Sequence, residues 1–335
     1  MIRFGIVGCG NISGTHAEAV RRIQQAELIA CCDNNENKGR LFAEKNKCIF
    51  FSSFQTMLKD AEIDAVIIAT PHYLHGEMTK QAFAAGKHVL CEKPMAITVS
   101  EAESVIEMWQ RQELMYAVCY QNRFNPSFLR LKEMIDMKCF GELKGIKCEL
   151  TWHRGSDYYN VANWKGSWSE EGGGVLINQA IHTLDVVTWM VKLPNRLKGK
   201  IMTTLLEGIV EVEDAAMATA IIDDETPVVI YASNNYSSDP APTVTFDFEN
   251  ANVVLTADRL LVDDRELPLA QSRKSQVAKN YWGSGHLRLI QAFVNQLEEV
   301  SDSEARYLAG ADALESLKMV CGIYQSDRED RWITL

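Results

Sequence analysis

The sequence predicts a two-domain α/β protein, in which a doubly wound parallel sheet precedes an α+β domain with a large, mostly antiparallel sheet. Length is the first reason, because 335 residues with 47% hydrophobic content can fill two cores. The second is that the first 150 residues alternate short apolar runs with longer amphipathic segments, as parallel strands joined by helices require. The third is a series of strand-like runs after residue 215 with no helical pattern between them, which favours antiparallel pairing.

Five apolar runs are the predicted strands of the first sheet: "RFGIVG", "ELIACCD", "DAVIIAT", "KHVLCEK" and "MYAVCY". Helical patterns lie between or after them, at 13–25, 38–46, 76–86, 100–112 and 126–138. We therefore assign residues 1–120 to the first domain and residues 121–335 to the second, with the helix at 126–138 as the connection.

The second domain begins with a polar, aromatic loop at 153–171 and a helical stretch at 173–191. Four strand-like runs follow, separated by Asp, Asn and Pro turns: "AMATAIID", "PVVIYAS", "TVTFDFEN" and "ANVVLTA". Helical segments at 284–300 and 305–326 close the chain, and we expect the last helix to pack back on the first domain. Because apolar residues alternate along the first two runs, one sheet face needs a cover, and we expect a homodimer or homotetramer through it.

Charge and cysteine pattern argue against several classes of protein. A net charge of −11 and a pI near 5.2 disfavour a nucleic-acid partner, since phosphate binding needs a basic patch. No apolar run reaches about 18 residues and the N-terminus lacks a secretory leader, so no membrane partner is expected. The nine cysteines show neither CxxC pairs nor zinc spacing. We expect a cytoplasmic protein with reduced thiols and no metal.

The segment Gly8-Cys9-Gly10-Asn11-Ile12-Ser13 is a G-x-G-x-x-S variant of the dinucleotide-binding fingerprint. It follows the first predicted strand and opens the first predicted helix. Gly8 permits the tight turn, and Gly10 lets the backbone approach a pyrophosphate. The free amides of the helix that begins near Asn11 and Ile12 can bind that charge. The alternative is an ordinary glycine turn, but the context favours a nucleotide site.

Asp33 ends the second predicted strand, where an acidic residue binds the adenosine ribose and repels a 2′-phosphate. NAD is therefore favoured over NADP as the cofactor. Two alternatives stay open. Asp33 could cap the following turn, "DNNENK", and Lys38 and Arg40 could accommodate a phosphate.

Five motifs taken together resemble the Gfo/Idh/MocA oxidoreductase family: the fingerprint, "ATPHYLH" at 69–75, "CEKP" at 91–94, "YQNRFNP" at 120–126 and "GGGVLINQAIHTLD" at 172–185. The resemblance implies a Rossmann domain followed by an open-faced α/β domain. It also implies an enzyme that oxidises or reduces a hydroxyl of a sugar, sugar derivative or cyclitol with a nicotinamide cofactor. Two alternatives are an NAD-using glycosidase that acts by transient oxidation and elimination, and a ligand-sensing relative without catalysis.

Lys93 lies in the loop after the fourth predicted strand, where ligands bind outside the carboxyl ends of an open sheet. The resemblance implies a catalytic lysine directed at the reacting hydroxyl, followed by a peptide bond that is often cis. An ammonium there favours the negative charge that develops on the substrate oxygen. Glu92 is predicted to orient Lys93 or to contact the cofactor. Further predicted cofactor contacts are Thr70, Pro71, His75, Lys93 itself and Gln121.

Asn178, His182 and Asp185 are spaced i, i+4, i+7, which predicts one stripe of a helix after three glycines. A single histidine in an apolar helix is more often a packed core residue, but the resemblance makes His182 the general acid/base, with an ordinary pKa close to neutrality. Relatives often carry aspartate at the position of Asn178, and an amide cannot take up a proton. Asn178 is therefore predicted to hold the hydroxyl or the imidazole within the catalytic group. Asp185 either supplies the missing charge or is a structural acid.

The loop "TWHRGSDYYNVANWKGSW" combines aromatic faces with polar donors, as carbohydrate sites do. Packing over a sheet edge or in a dimer contact is the alternative. Arg123 is assigned either to an anionic substrate or to a bridge between the domains. The predicted substrate-binding residues are Arg123, Arg154, Tyr158, Tyr159, Trp164, Asn178, His182 and Tyr281, the last from a segment that resembles the family's pocket mouth.

Overall fold

The first domain contains a parallel sheet with the strand order β3-β2-β1-β4-β5-β6. The computed structural model describes residues 1–270 and 285–335, and within these ranges the sheet has six strands. All of its strand pairs are parallel, which confirms the predicted doubly wound fold. In chain order its elements are β1 (Ile2–Val7), α1 (Asn11–Arg22), β2 (Ala26–Cys32), α2 (Glu36–Asn46), β3 (Ile49–Phe51), α3 (Phe54–Asp60), β4 (Ala65–Ile68), α4 (His75–Ala84), β5 (His88–Cys91), α5 (Val99–Trp109) and β6 (Tyr116–Val118).

These strands are nearly continuous apolar runs because helices cover both faces of the sheet. All four residues of β4 are buried, for example. The strand β3 and the helix α3 are absent from the sequence-based prediction. Three residues of strand and two turns of helix are too short to give a clear period.

The second domain contains a mostly antiparallel sheet, as predicted. Its order is β14-β13-β12-β11-β7-β10-β9-β8-β15, nine strands within the described ranges. The pair β7–β10 is parallel, so the antiparallel pattern is not complete. The strands are β7 (Leu143–Thr151), β8 (Arg196–Met202), β9 (Ala215–Ile222), β10 (Thr226–Ser233), β11 (Thr243–Phe248), β12 (Ala251–Leu255), β13 (Leu260–Val262), β14 (Arg265–Glu266) and β15 (Ile333–Thr334).

Five α-helices of the described ranges follow the first sheet: α6 (Pro126–Asp136), α7 (Ser156–Asn160), α8 (Ile181–Met190), α9 (Gly285–Leu297) and α10 (Ala313–Glu329). The helix that covers the first sheet is α9, whose Phe293 ring lies 6.3 Å from that of Phe4 on β1. The last helix, α10, packs mainly on β8 and α8 of the second domain and also contacts α5. No helix in the described part of the chain is long and apolar enough to cross a membrane.

One face of the second sheet packs against α8 and α10, and the other carries partly exposed apolar side chains. Met217 on β9 is 48% exposed and Val229 on β10 is 49% exposed. Val229 is paired with the exposed Lys147 of β7, and Met217 with the exposed Lys200 of β8. This face is therefore mixed, with apolar side chains in the middle of charged ones.

Candidate active site

The turn between β1 and α1 has the geometry of a dinucleotide cradle. Gly8 has φ +90°, and a Cβ there would lie 2.4 Å from the carbonyl oxygen of Ala69, so only glycine fits. A Cβ on Gly10 would meet nothing within 4 Å, which leaves room beside the backbone. Helix α1 begins at Asn11 with no side-chain cap and no acidic residue in its first turn. The amides of Asn11 and Ile12 are thus placed to bind a pyrophosphate.

Asp33, directly after β2, faces this turn. Its Oδ2 accepts a hydrogen bond of 2.8 Å from the amide of Cys9, and its Oδ1 accepts one of 2.7 Å from the amide of Asn35. The bond to Asn35 is the contact expected if Asp33 caps the turn after β2, which was the alternative to ribose binding. The N-cap of helix α2 is Asn35 itself. Each carboxylate oxygen can accept more than one hydrogen bond, so Asp33 can also receive a ribose hydroxyl.

The loop after β4 contributes Thr70, Pro71 and His75. The hydroxyl of Thr70 is buried and has no hydrogen-bond partner among the described residues, which fits a polar ligand at this edge. His75 does not fit the predicted cofactor contact. It is fully buried, and its ring nitrogens lie 2.7 Å from the carbonyl of Pro94 and 2.9 Å from that of Thr70. His75 therefore ties this loop to the Lys93–Pro94 loop.

Lys93 follows β5 and reaches the second domain. Its Nζ donates to the backbone carbonyl of Asn178 at 2.7 Å and to the side-chain Oδ1 of Asn178 at 3.3 Å. The peptide bond from Lys93 to Pro94 is cis, as the resemblance implied. Burial lowers the pKa of Lys93, and the nearby carboxylates of Glu92 and Glu171 oppose that effect.

Glu92 points away from this face, into the first domain. It is 8% exposed, and its Oε1 lies 2.7 Å from Nε2 of His16 on α1. Burial alone would raise the pKa of Glu92, but the hydrogen bond with His16 and the neighbouring His286 and Lys93 hold it well below its usual value. Because Oε2 also lies 3.3 Å from the amide of Lys93, the contacts support the orienting role and not direct contact with the cofactor.

The surroundings of Glu92 contain a group of side chains, among the described residues, that could hold a metal ion. One ligand atom each from His16, Glu92 and Cys119 lie within 4.8 Å of one another, and all three residues are buried. The hydrogen bond between His16 and Glu92 already uses two of those side chains. We assign the cluster to holding Glu92 behind Lys93.

The glycine triplet before α8 shapes the second-domain side of the site. Gly174 has no room for a side chain, because a Cβ there would lie 1.9 Å from the carbonyl oxygen of Glu213. The carboxylate of Glu213 accepts hydrogen bonds from the amides of Gly174 (2.8 Å) and Leu176 (2.9 Å) and from the hydroxyl of Tyr324 (2.8 Å). The chain then runs through π-helical turns at Val175–Ala180 instead of the predicted α-helix.

Asn178 lies in these π-helical turns with Glu171 behind it. Asn178 Nδ2 donates a short hydrogen bond to Oε1 of Glu171 and a bond of 3.3 Å to the hydroxyl of Tyr158. Glu171 is fully buried, and its Oε2 accepts from the amide of Gly166 at 2.6 Å. Burial raises the pKa of Glu171 to about 7. Sequence reasoning missed Glu171, although its place directly before the glycine triplet was a usable signal.

His182 lies in the first turn of α8, edge-on to the ring of Tyr120 at 5.7 Å between centroids. Its Nδ1 is buried, and no group in the described part of the chain bonds to it. Burial, and then the charge of Lys93, lower the pKa of His182 to about 3. The pKa of His182 in the folded chain is therefore well below its ordinary value near neutrality, and His182 is a neutral imidazole at pH 7.

Arg123, in the turn directly after the last strand of the first sheet, forms a buried ion pair with Asp185 on α8. Arg123 donates to both carboxylate oxygens of Asp185 at 2.8 and 2.6 Å, and to Asp312 at 2.5 Å. Arg123 and Asp185 are 2% and 1% exposed. These contacts contradict substrate binding by Arg123 and support the bridge. They also make Asp185 a structural acid, off the stripe with Asn178 and His182.

The aromatic loop presents some predicted side chains and buries others. Tyr158 is half-buried, with the ammonium of Lys165 3.4 Å from its ring centroid and the guanidinium of Arg154 5.4 Å away. Arg154 contradicts its predicted substrate contact, because it is 8% exposed and forms an ion pair of 3.0 Å with Asp239. Trp164 packs on His72 at 4.7 Å. Tyr159 contradicts its prediction, because it is 5% exposed and its hydroxyl accepts from Asn234 at 3.2 Å inside the domain.

Two further predicted residues complete the set. Gln121 is 4% exposed in the 3₁₀ turn after β6, where its side chain donates weakly to Asn122 at 3.5 Å. Its carbonyl lies against Gly285, where a Cβ would be 1.8 Å away. Tyr281 lies outside the described residues.

Fold and site together define a nicotinamide-dependent oxidoreductase, with a dinucleotide cradle on one domain and a polar catalytic group at the junction with the next. Residues 2–120 match the oxidoreductase family with an NAD-binding Rossmann fold, and residues 128–254 match the GFO/IDH/MocA C-terminal domain. The two matches cover more than half of the chain, and the chain belongs to the Gfo/Idh/MocA family. It is an enzyme with an NAD-binding domain.

Several proteins that this chain resembles are named as dehydrogenases. The chain is 25% identical to the D-glucoside 3-dehydrogenase of Escherichia coli over 97% of this chain and 95% of that one. It is 27% identical to inositol 2-dehydrogenase 1 of Saccharopolyspora erythraea, over 57% of this chain and 54% of that one, little more than half of either. The WlbA dehydrogenase of Bordetella pertussis, solved with NADH and UDP-GlcNAcA, is 27% identical with a TM-score of 0.86, covering 100% of this chain and 98% of that one.

Proposed function

We propose that this enzyme transfers hydride between NAD and a secondary hydroxyl or ketone of a sugar, sugar derivative or cyclitol. The observation that carries the proposal is the contact between Lys93 Nζ and Asn178, with His182 one turn further along the same segment. It brings an ammonium and a neutral imidazole together where the carboxyl ends of the parallel strands face the second domain.

The residues of the first domain support NAD as the cofactor. The uncapped start of α1, the open space beside Gly10, the carboxylate of Asp33 and the unpartnered hydroxyl of Thr70 are the groups that would hold it. The bound nicotinamide would supply the hydride acceptor for oxidation and the donor for reduction.

The chemistry of the chain itself is a proton transfer. Lys93 hydrogen-bonds the substrate oxygen and stabilises the negative charge that grows there as the proton leaves. His182 is neutral and so is ready to accept that proton, while Asn178 fixes the ammonium. With a pKa of about 3, His182 is a weak base, and the stabilisation of the substrate oxyanion by Lys93 offsets that weakness.

A carbohydrate fits the second-domain side of the site. Tyr158 receives hydrogen bonds from Asn178 and Gln179, so its own hydroxyl proton is directed at another acceptor. The ring of Trp164 offers an apolar face, and Lys165 places positive charge beside Tyr158, whereas the charge of Arg154 is paired with Asp239. The charge of Lys165 favours substrates that carry a carboxylate or phosphate.

A substrate panel with NAD tests the proposal. It should contain glucosides, inositols, free sugar acids and nucleotide-linked sugar acids. Glucosides and inositols appear in the names of similar proteins, and a similar structure was solved with a nucleotide-linked sugar acid. Net formation of NADH with one class is the expected result. Release of an aglycone without net NADH would favour the glycosidase, and binding of NADH without turnover on any substrate would favour a ligand-sensing protein.

A second copy of the chain is the proposed cover for the mixed face of the second sheet. The partly exposed Met217 and Val229 lie in the middle of that face and support this assignment. Light scattering should return a homodimer or homotetramer, and a stable mass near 37.7 kDa would contradict it. A cytoplasmic location is proposed from the nine free thiols.

A further inference from the structure

Glu171 is a buried carboxylate that contacts Asn178 of the catalytic group. The residues predicted for that group from the sequence do not include Glu171. It is fully buried, and each oxygen has one donor, Oε1 from the amide of Asn178 and Oε2 from the backbone of Gly166. A buried acid is costly unless hydrogen bonds or charges compensate it. Positive charges near Glu171 are those of Lys93 and Lys165.

The carboxylate fixes which way the side chain of Asn178 points. An ionised carboxylate only accepts hydrogen bonds, so the NH₂ group of Asn178 must face Glu171. The other end of the amide, Oδ1, is then turned to the ammonium of Lys93, 3.3 Å away. With Glu171 protonated, its O–H could donate to Oδ1 instead, and the flipped amide would present its NH₂ group to the ammonium.

The other titratable groups around this place make different contacts. Burial also raises the pKa of Glu213 to about 7, but its carboxylate accepts from the backbone amides of Gly174 and Leu176. Glu92 is held by His16 on the opposite side of Lys93. The Nδ1 of His72 lies 2.8 Å from the backbone carbonyl of Glu171, and burial lowers the pKa of His72. The hydroxyls of Tyr158 and Tyr159 face the same region, and burial raises the pKa of each.

We propose that Glu171 is a positioning residue that supplies, through the amide of Asn178, the carboxylate that residue 178 itself lacks. Its charge orients Asn178 and holds Lys93 as the ammonium that binds the substrate oxygen. This inference rests on the proposed function for its kinetic consequence, but its electrostatic consequence for Lys93 does not depend on any substrate.

An exchange of the two side chains is the sharpest test. Glu171→Gln removes the charge and leaves two donors, from Gly166 and Asn178, facing an amide that can satisfy only one. The double variant Glu171→Gln/Asn178→Asp restores both hydrogen bonds of position 171, because the new amide there can donate to the new carboxylate at position 178, the reverse of the wild-type bond, and still accept from Gly166. It also returns a carboxylate, now beside Lys93. Glu170→Gln, at the neighbouring position, is the matched control.

The expected kinetic result is a loss in kcat of about 10² for Glu171→Gln, with little change in KM, and recovery to within about tenfold in the exchanged variant. The rise of kcat/KM with pH through the Glu171 titration should disappear in Glu171→Gln and persist in Glu170→Gln. An exchanged variant that binds NADH but is as inactive as Glu171→Gln would overturn the proposal. If Glu171→Gln does not fold, the exchanged variant and the pH profile of Glu171→Asp decide alone.

A second readout uses no substrate. The pH dependence of acetylation of Lys93 by acetic anhydride, followed by mass spectrometry, gives the apparent pKa of that amine. Loss of the Glu171 charge should shift the midpoint to lower pH in Glu171→Gln, and the exchanged variant should reverse the shift. Equal midpoints in wild type and Glu171→Gln would refute the inference. If no substrate is ever found, the proposed function fails, while this measurement still decides the role of Glu171.

Discussion

The ammonium of Lys93 lies 2.7 Å from the backbone carbonyl of Asn178, and this contact joins the two domains at the candidate active site. Lys93 comes from the loop after β5 of the parallel sheet, and Asn178 from the π-helical turns before α8. A substrate oxygen can therefore be bound by the first domain while the second domain surrounds the rest of the molecule. The relationship fixes what each neighbouring residue can do.

His182 should act as a neutral base. His182→Ala is expected to lower turnover by about 10² to 10⁴, because the proton of the substrate hydroxyl loses its acceptor. Burial and the charge of Lys93 lower the pKa of His182 to about 3 from the ordinary 6.5. The pH profile of kcat/KM should therefore contain no change near pH 6.5 that is caused by the titration of His182. Steady-state kinetics over pH, for wild type and variant, test both points. Wild-type turnover in His182→Ala would leave Lys93 as the sole acid/base.

Asp33 should set the preference for NAD. Replacing it with Ala removes the carboxylate that would repel a 2′-phosphate, so the ratio of kcat/KM for NAD to that for NADP should fall. The same change removes the acceptor of the Cys9 amide, so some loss with NAD itself is also expected. Asn34→Ala, at the next position, is the control. Wild-type enzyme that used NADP as well as NAD would show that Asp33 does not contact the ribose.

Arg123 should matter for stability and not for substrate affinity. Arg123→Met leaves Asp185 buried without its partner, which is expected to cost about 3–5 kcal/mol. Arg123→Met/Asp185→Leu removes both buried charges and should recover much of that loss. Urea unfolding measures the stabilities, and KM for the substrate should stay within about twofold in the folded variants. A large rise in KM with unchanged stability would favour a contact with an anionic substrate.

The pKa of Glu171 predicts a pH-dependent stability. The folded chain raises it to about 7 from the ordinary 4.5, so folding favours the protonated acid. The stabilising contribution is full below pH 4.5 and is lost as pH rises through 7. Wild type should therefore lose Tm relative to Glu171→Gln as the pH is raised from 4.5 through 7. A difference in Tm that does not change with pH would contradict the burial of this carboxylate.

Much of the fold could be predicted from local patterns that are visible in a single sequence. The alternation of apolar strands and amphipathic helices, and the glycines of the first turn, give the parallel sheet and its cradle. The short β3 and α3 are below the length at which periodicity is visible. The role of α9 on the first sheet depends on contacts between Phe293 and Phe4, far apart in the chain, and no local pattern contains that information.

The site residues could be predicted where a sequence motif fixes the backbone. They could not be predicted where tertiary packing decides whether a side chain is buried or reaches a ligand. Lys93 and Asn178 come together as their motifs suggested. Tyr159 and Arg123 have the side chains of ligand-binding residues, but their partners Asn234 and Asp185 are supplied by tertiary packing. The spacing of Asn178, His182 and Asp185 assumed an α-helix throughout, and the π-helical turns change the direction of the first side chain.

The most direct test of the central claim is the fate of hydrogen from a carbinol carbon. Sugars, inositols and sugar acids that are deuterated at their carbinol carbons are incubated with NAD and either wild type, Lys93→Ala or Lys87→Ala. Lys87 is the control, because it lies at the opposite end of β5 and its side chain donates to the carbonyl of Ile63. We expect NADH that carries deuterium with wild type and Lys87→Ala, and about 10² to 10⁴ slower formation with Lys93→Ala. Deuterated NADH formed equally fast by Lys93→Ala, or no labelled NADH from any substrate with wild type, would contradict the claim.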